Sequence, residues 1–161
     1  MDKKQIIDEL INISKKKEEA LKELLDLTKI QEALINNQDL ENLAEVINKK
    51  QMIMKSIDDI DMHFLGIYNR FKKALGIRAI EDIDTSKYPA LKDLKLNISN
   101  IMILLKAIED IDKRNNSQLH AAFDKVKEDM KKLKAKKQSS KIASSYQRKY
   151  AAVQGVFIDH K

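Results

Sequence analysis

The chain has 161 residues, of which 31 are basic and 25 acidic, so its net charge is +6. This length suits one domain. The absence of Cys excludes a disulfide framework, a thiolate nucleophile, a Cys-based zinc site and an iron–sulfur cluster. With three Gly and one Pro, the chain has too few turn residues for a sheet-rich fold, and the composition predicts long helices.

Apolar residues at spacings of three and four predict a first helix over residues 2–35 and a second over residues 40–75. Residues 36–39 interrupt the pattern, because Asn and Asp tolerate a left-handed backbone and Asp39 can cap a new helix. Gly76 is a plausible stop for the second helix. A link of four residues favours an antiparallel hairpin.

The pattern is lost over residues 77–88, which predicts a connection with one short helical turn. Pro89 then marks the start of a third helix over residues 89–136. We therefore predict an all-α, coiled-coil-like, up-down-up antiparallel bundle of three long helices within residues 1–137. At about 1.5 Å per residue the helices are about 51, 54 and 72 Å long, so the third should overhang the others beyond about Phe123.

Residues 138–161 are predicted to form a flexible tail that is basic and partly apolar. Residues 131–161 contain nine basic residues and one acidic residue, whereas the chain before them is nearly neutral. Five apolar residues of the tail lie at helical spacings, which predicts an amphipathic face on meeting a partner. They are Ile142, Tyr146, Tyr150, Val153 and Phe157.

The strongest catalytic or metal-binding candidate is the acidic group Asp58, Asp59 and Asp61 with His63. Di-metal helix bundles carry Glu-x-x-His pairs, and this sequence has none. No Gly-rich phosphate loop is present either. We therefore expect no enzymatic activity, no cofactor, no metal and no small-molecule substrate. Polar residues at the apolar seam are interpreted as setting helix register; they include Asp61, Asp112, Asn115 and Asp129.

The lysine-rich segment 131–149 is compatible with phosphate contacts, and Tyr146 or Tyr150 with base stacking. Clusters of base-reading Arg or Asn are lacking, so nucleic-acid or anionic-surface binding is the less favoured interpretation, and the role of these lysines stays open. The longest apolar run, residues 101–105, is far below the roughly 18 residues of a membrane span, and the start has no apolar core of signal-peptide length. A cytoplasmic location is expected.

Residues 27–51 resemble the helical hairpin of the FlgN family, through the polar turn Asn36-Asn37-Gln38-Asp39 and the run Lys49-Lys50-Gln51. The chain end, Phe157-Ile158-Asp159-His160-Lys161, is also similar to endings found in that family. The resemblance implies a cytoplasmic export chaperone for hook-associated proteins of the bacterial flagellum. Such chaperones bind the C-terminal helical part of these hook–filament junction proteins and prevent their premature assembly.

The resemblance further implies delivery to the type III export gate, so that any membrane association would be indirect, through the gate. It also implies that the C-terminal region holds the client protein. On this sequence the implied client-binding residues are Val126, Met130, Leu133, Ile142, Tyr146, Tyr150, Val153 and Phe157. The main alternative from the sequence is a structural coiled-coil or oligomerisation module that uses the exposed third helix for self-association.

Overall fold

A computed structural model describes residues 2–139, and within them the chain forms three long α-helices and no strand. Helix α1 spans Lys3–Asn36, α2 spans Leu40–Leu75 and α3 spans Leu91–Ser139. The predicted all-α fold of three long helices is confirmed. The chain divides into two compact units, residues 1–115 and residues 116–161. The first unit contains α1, α2 and the first half of α3.

Helix ends coincide with capping residues. Before α1, the Gln5 amide donates to Asp2 Oδ1 at 2.8 Å and the Asp2 amide donates to Gln5 Oε1 at 2.9 Å, which is a capping box. Before α2, Asp39 accepts a hydrogen bond from the amide of Asn42 at 3.2 Å. Gly76 ends α2 in the left-handed conformation, with φ 64°, and the Ile77 amide closes the last turn on the carbonyl of Lys72.

The hairpin turn between α1 and α2 differs in one detail from the expectation that an Asn or Asp takes the left-handed conformation. Asn37 is right-handed, and Gln38 carries the positive φ, at 57°. The amide of Asp39 donates to the carbonyl of Leu34 at 3.0 Å, which requires the chain to reverse at Gln38. Position in the turn, not residue type, therefore decides which residue takes the strained conformation.

Two apolar clusters fill the first unit. In the first, early residues of α1 meet late residues of α2 and early residues of α3. In the second, the middles of α1 and α2 meet residues further along α3, as antiparallel packing of α1 and α2 requires. The backbones of α1 and α2 come closest, and α3 packs on this hairpin through its side chains. The first cluster centres on Leu10, Phe71, Leu91 and Leu94, and the second consists of Leu21, Leu24, Ile57, Ile101 and Ile108.

The connection between α2 and α3 contains a short 3-10 helix, Ile80–Asp82, and contributes the buried Ile83 to the first cluster. Pro89 does not begin α3 as predicted. The turn over Pro89 and Ala90 precedes the helix, and the Pro89 carbonyl accepts from the amide of Lys92 at 3.1 Å. The first apolar residue that packs, Leu91, is therefore also the first α-helical one.

Polar residues lie buried between and beyond the two apolar clusters. The side-chain amide of Asn97 on α3 donates to Ser14 Oγ on α1 at 3.1 Å. Further along, the Lys50 ammonium on α2 donates to Gln31 Oε1 at 2.7 Å and to Asp112 Oδ1 at 2.8 Å. Lys50 is only 8% exposed, and its bonds join all three helices. The seam residues Lys50 and Asp112 therefore link α2 to α3 at one register.

Replacing Gly76 and Gly66 with alanine should change stability in opposite directions. Ala at the φ of 64° adopted by Gly76 is strained, so Gly76→Ala should lower the free energy of unfolding by about 1 kcal/mol. Gly66 lies inside α2 with open space where a Cβ would be, and Gly66→Ala should raise it by up to about 1 kcal/mol. Urea denaturation of the full chain measures both variants, and an unchanged or raised free energy of unfolding in Gly76→Ala would contradict the assignment of Gly76 as the cap.

The Lys50–Asp112 pair should show strong coupling between its two positions. Asp112→Leu leaves the buried ammonium of Lys50 with Gln31 alone and should destabilise the chain by about 2 kcal/mol. The double variant Lys50→Met/Asp112→Leu removes the buried charge as well and should recover most of that loss. Urea denaturation of the single and double variants forms the cycle, and simple additivity would show that the pair does not act as a unit.

Candidate protein-binding surface

The described part of the second unit is helical from Asn116 to Ser139, and none of its side chains from Asn116 to Gln138 is buried. Five apolar residues follow one another at spacings of four, three, four and three, so they share one face of the helix. This apolar stripe consists of Leu119, Phe123, Val126, Met130 and Leu133. It is the pattern of a coiled-coil seam on a surface that remains accessible to a partner.

The structure brings together three of the eight predicted client-binding residues on this stripe. Val126 and Met130 are half-buried, and Leu133 is 40% exposed. The other five predicted residues fall outside the described residues: Ile142, Tyr146, Tyr150, Val153 and Phe157. They stay predictions.

Two stripe residues were not among the predicted site residues. Phe123 is 51% exposed and Leu119 is half-buried. The predicted seam ran through Asp129, but Asp129 is exposed and the stripe passes through Met130 instead. Extending the three-four alternation through apolar residues only would have identified the whole stripe, because a carboxylate gains nothing at a position that meets apolar surface.

Two lysines of α3 form ion pairs within the first unit. Lys106 lies 3.1 Å from Asp110 and Lys113 lies 3.0 Å from Glu109, each one helical turn away. The hydrogen bond to Asp110 raises the pKa of Lys106, and the hydrogen bond from Lys113 lowers the pKa of Glu109.

Around the stripe, several lysines have no ion-pair partner within the described part of the chain. These are Lys125, Lys127, Lys131, Lys132 and Lys134, and all five are exposed. Their charges are therefore available to an acidic partner without first breaking an internal ion pair.

Two members of the acidic group considered as a catalytic or metal site, Asp61 and His63, make structural contacts with α1. Asp61 accepts a hydrogen bond from the Lys17 ammonium at 2.6 Å, and His63 lies 3.8 Å from Glu9. Across residues 2–139, no three His, Asp or Glu side chains are placed to hold a metal ion. The contacts of Asp61 and His63 join α1 to α2 and do not converge on a common ligand position.

The first unit also contains a cavity of about 240 Å³ between its two apolar clusters, lined by side chains of all three helices. Met102 and Leu105 line it while remaining 62% and 40% exposed, and Lys17 and Asp61 contribute their ion pair. The sequence analysis did not single out this cavity, because Met102 and Leu105 differ in no obvious way from other residues of a heptad pattern.

No helix in residues 2–139 combines the length and the apolar character needed to cross a membrane. Comparison with protein families matched residues 1–152 to the family described as FlgN protein. No curated protein and no solved structure matched the chain. FlgN proteins are flagellar export chaperones and are not known as enzymes. Because the match extends over residues 1–152 of 161, the chain belongs to the FlgN family.

Proposed function

We propose that the chain is a non-enzymatic cytoplasmic chaperone that binds the C-terminal helical region of hook-associated proteins. By covering that region it prevents premature assembly of the hook–filament junction, and it delivers these proteins to the flagellar type III export apparatus. Family membership supports the chaperone role. The observation that carries the proposed mode of binding is the accessible apolar stripe of α3.

The stripe suits capture of an amphipathic helix. A client helix that lays its apolar side chains between those of Phe123, Val126 and Met130 would remove both faces from water. Burial of five such side chains contributes of order 10 kcal/mol at about 2 kcal/mol each. Loss of translational freedom and ordering of side chains offset much of this, so we expect a dissociation constant between micromolar and nanomolar.

The proposed site continues into the tail. The five apolar tail residues at helical spacing, from Ile142 to Phe157, would add a second apolar surface to the client helix. Any order that the tail gains on binding costs conformational entropy, so its contribution to affinity is smaller than its apolar area suggests. A client held on two sides is shielded from contact with further copies of itself.

Truncating the stripe should weaken client binding selectively. Met130→Ala/Leu133→Ala removes two adjacent stripe side chains and should weaken binding of a hook-associated protein's C-terminal helical segment at least tenfold, a loss of about 1.4 kcal/mol or more. The control Leu96→Ala/Ile103→Ala shortens two exposed apolar side chains of α3 in the first unit. Isothermal titration with the segment from the same organism measures the client affinity of the unaltered chain and of both double variants.

Three results would redirect the assignment. Equal client affinity of the unaltered chain and both double variants would show that the client does not bind the stripe. Concentration-dependent self-association that the stripe variant abolishes, measured by sedimentation in the absence of client, would support the oligomerisation module instead. Affinity for nucleic acid or anionic surfaces that falls steeply between low and moderate salt would support the alternative based on segment 131–149.

Removal of the tail should abolish or strongly weaken client binding. In a chain ending at residue 137 the five apolar tail residues are missing, while all buried residues of the first unit are retained. We expect circular dichroism to show that the helices of the remaining chain persist. Client binding that survives this deletion at full strength would place the site on the helices that remain, with the stripe of α3 as the first candidate and the cavity at Met102 and Leu105 as the next.

A further inference from the structure

The two edges of the apolar stripe differ in charge. Lys127 and Lys134 follow Val126 and Leu133 directly and are seven residues apart, so they lie on the same edge. Both are exposed, and neither has an ion-pair partner among the described residues. In a coiled coil these are flanking positions, whose charges meet those of the partner helix and set partner choice and orientation.

The opposite edge carries an acidic residue at a similar position along the helix. Asp129 directly precedes Met130 and is exposed. A carboxylate here repels a partner carboxylate and favours a neutral or basic side chain. Lys136, seven residues after Asp129, lies on the same edge as Asp129. The stripe is therefore bordered by two lysines on one edge and by one aspartate and one lysine on the other.

We propose that the client helix is selected by charge as well as by apolar pattern. It carries two carboxylates, seven residues apart, on the edge that meets Lys127 and Lys134, and no carboxylate opposite Asp129. This inference rests on the proposed function, because it specifies the chemistry of the client that the stripe binds. The asymmetry also distinguishes the two ways in which a helix can lie on the stripe, since reversing the client exchanges its edges.

A protein helix fits this surface better than a nucleic acid or a lipid headgroup layer does. The stripe is narrow and keeps a coiled-coil spacing over its five residues, which matches the seam of another helix. Residues 116–139 contain no Arg, the side chain best suited to bidentate phosphate contacts.

The test uses the full chain and two charge-reversal variants of equal net charge. Lys127→Glu/Lys134→Glu reverses the edge of the stripe. Lys125→Glu/Lys132→Glu reverses two exposed lysines that are also seven residues apart but lie away from both edges. Neither pair is buried or ion-paired in the described chain, so both variants should keep the fold, which circular dichroism checks.

The probes are two designed 28-residue helices with the same apolar residues at the seam and neutral residues along one edge. The other edge carries Glu in one helix and Lys in the other. We expect the unaltered chain to bind the Glu helix about tenfold or more tightly than the Lys helix at low salt. Lys127→Glu/Lys134→Glu should abolish or reverse this preference, whereas Lys125→Glu/Lys132→Glu should keep most of it. Fluorescence anisotropy of labelled helices measures each affinity.

Equal affinity of the unaltered chain for the two helices, or failure to bind either, overturns the proposal. Equal loss of preference in both variants also overturns it, because it shows a diffuse basic surface of the kind that nucleic acid or anionic lipid recognises.

The same variants, titrated with the C-terminal helical segment of a hook-associated protein, separate the two hypotheses. If the segment binds and the edge reversal has no effect, charge selection fails and the proposed function stands. If the segment does not bind but the Glu helix is preferred, the proposed function fails and the charge preference of the stripe stands.

Discussion

The first unit depends on one buried charge. The Lys50 ammonium is almost completely removed from water, and such a group is tolerated only where oxygen atoms replace its hydration. Gln31 on α1 and Asp112 on α3 supply those oxygens, at 2.7 and 2.8 Å. Sliding α3 by one turn would separate Asp112 from the ammonium and Asn97 from Ser14. The apolar residues make the helices associate, and the buried polar contacts favour one register.

Asn115 is the last buried residue of α3 within the described part of the chain. Its side-chain amide donates to the backbone carbonyl of Thr28 at 3.3 Å. Beyond it the helix cannot rely on burial and depends on local effects. Acidic residues precede basic ones there: Asp124, Glu128 and Asp129 come before the lysines of the last turns, an order that suits the helix dipole. A helix stabilised in this way keeps its apolar stripe ordered without covering it, and the stripe is therefore accessible to a partner.

Predictions from the sequence succeed where one residue type has one physical role. Heptad spacing predicted three helices, Gly76 was identified as the left-handed cap of α2, and Asp39 as the N-cap. They fail where the choice depends on neighbours in space. Gln38 takes the left-handed turn position because of the hydrogen bonds around it, and the stripe passes through Met130 instead of Asp129 because only the apolar side chain gains from the shared face. The cavity at Met102 required three helices to be placed together, which no spacing along one helix reveals.

An apolar stripe alone selects poorly, because any amphipathic helix of the right period can bury its own stripe there. Charged edges make the stripe selective. Each exposed ion pair with the right partner adds at most about 1 kcal/mol to the binding free energy, and each like-charge contact weakens binding of a wrong partner by a similar amount. Weak, exposed pairs are also readily exchanged with water and salt. For a chaperone with the proposed function, which includes release of the client, selection by such pairs keeps specificity without making release slow. The lysines beside the stripe are, on this view, the selective element of a surface whose affinity comes from its apolar residues.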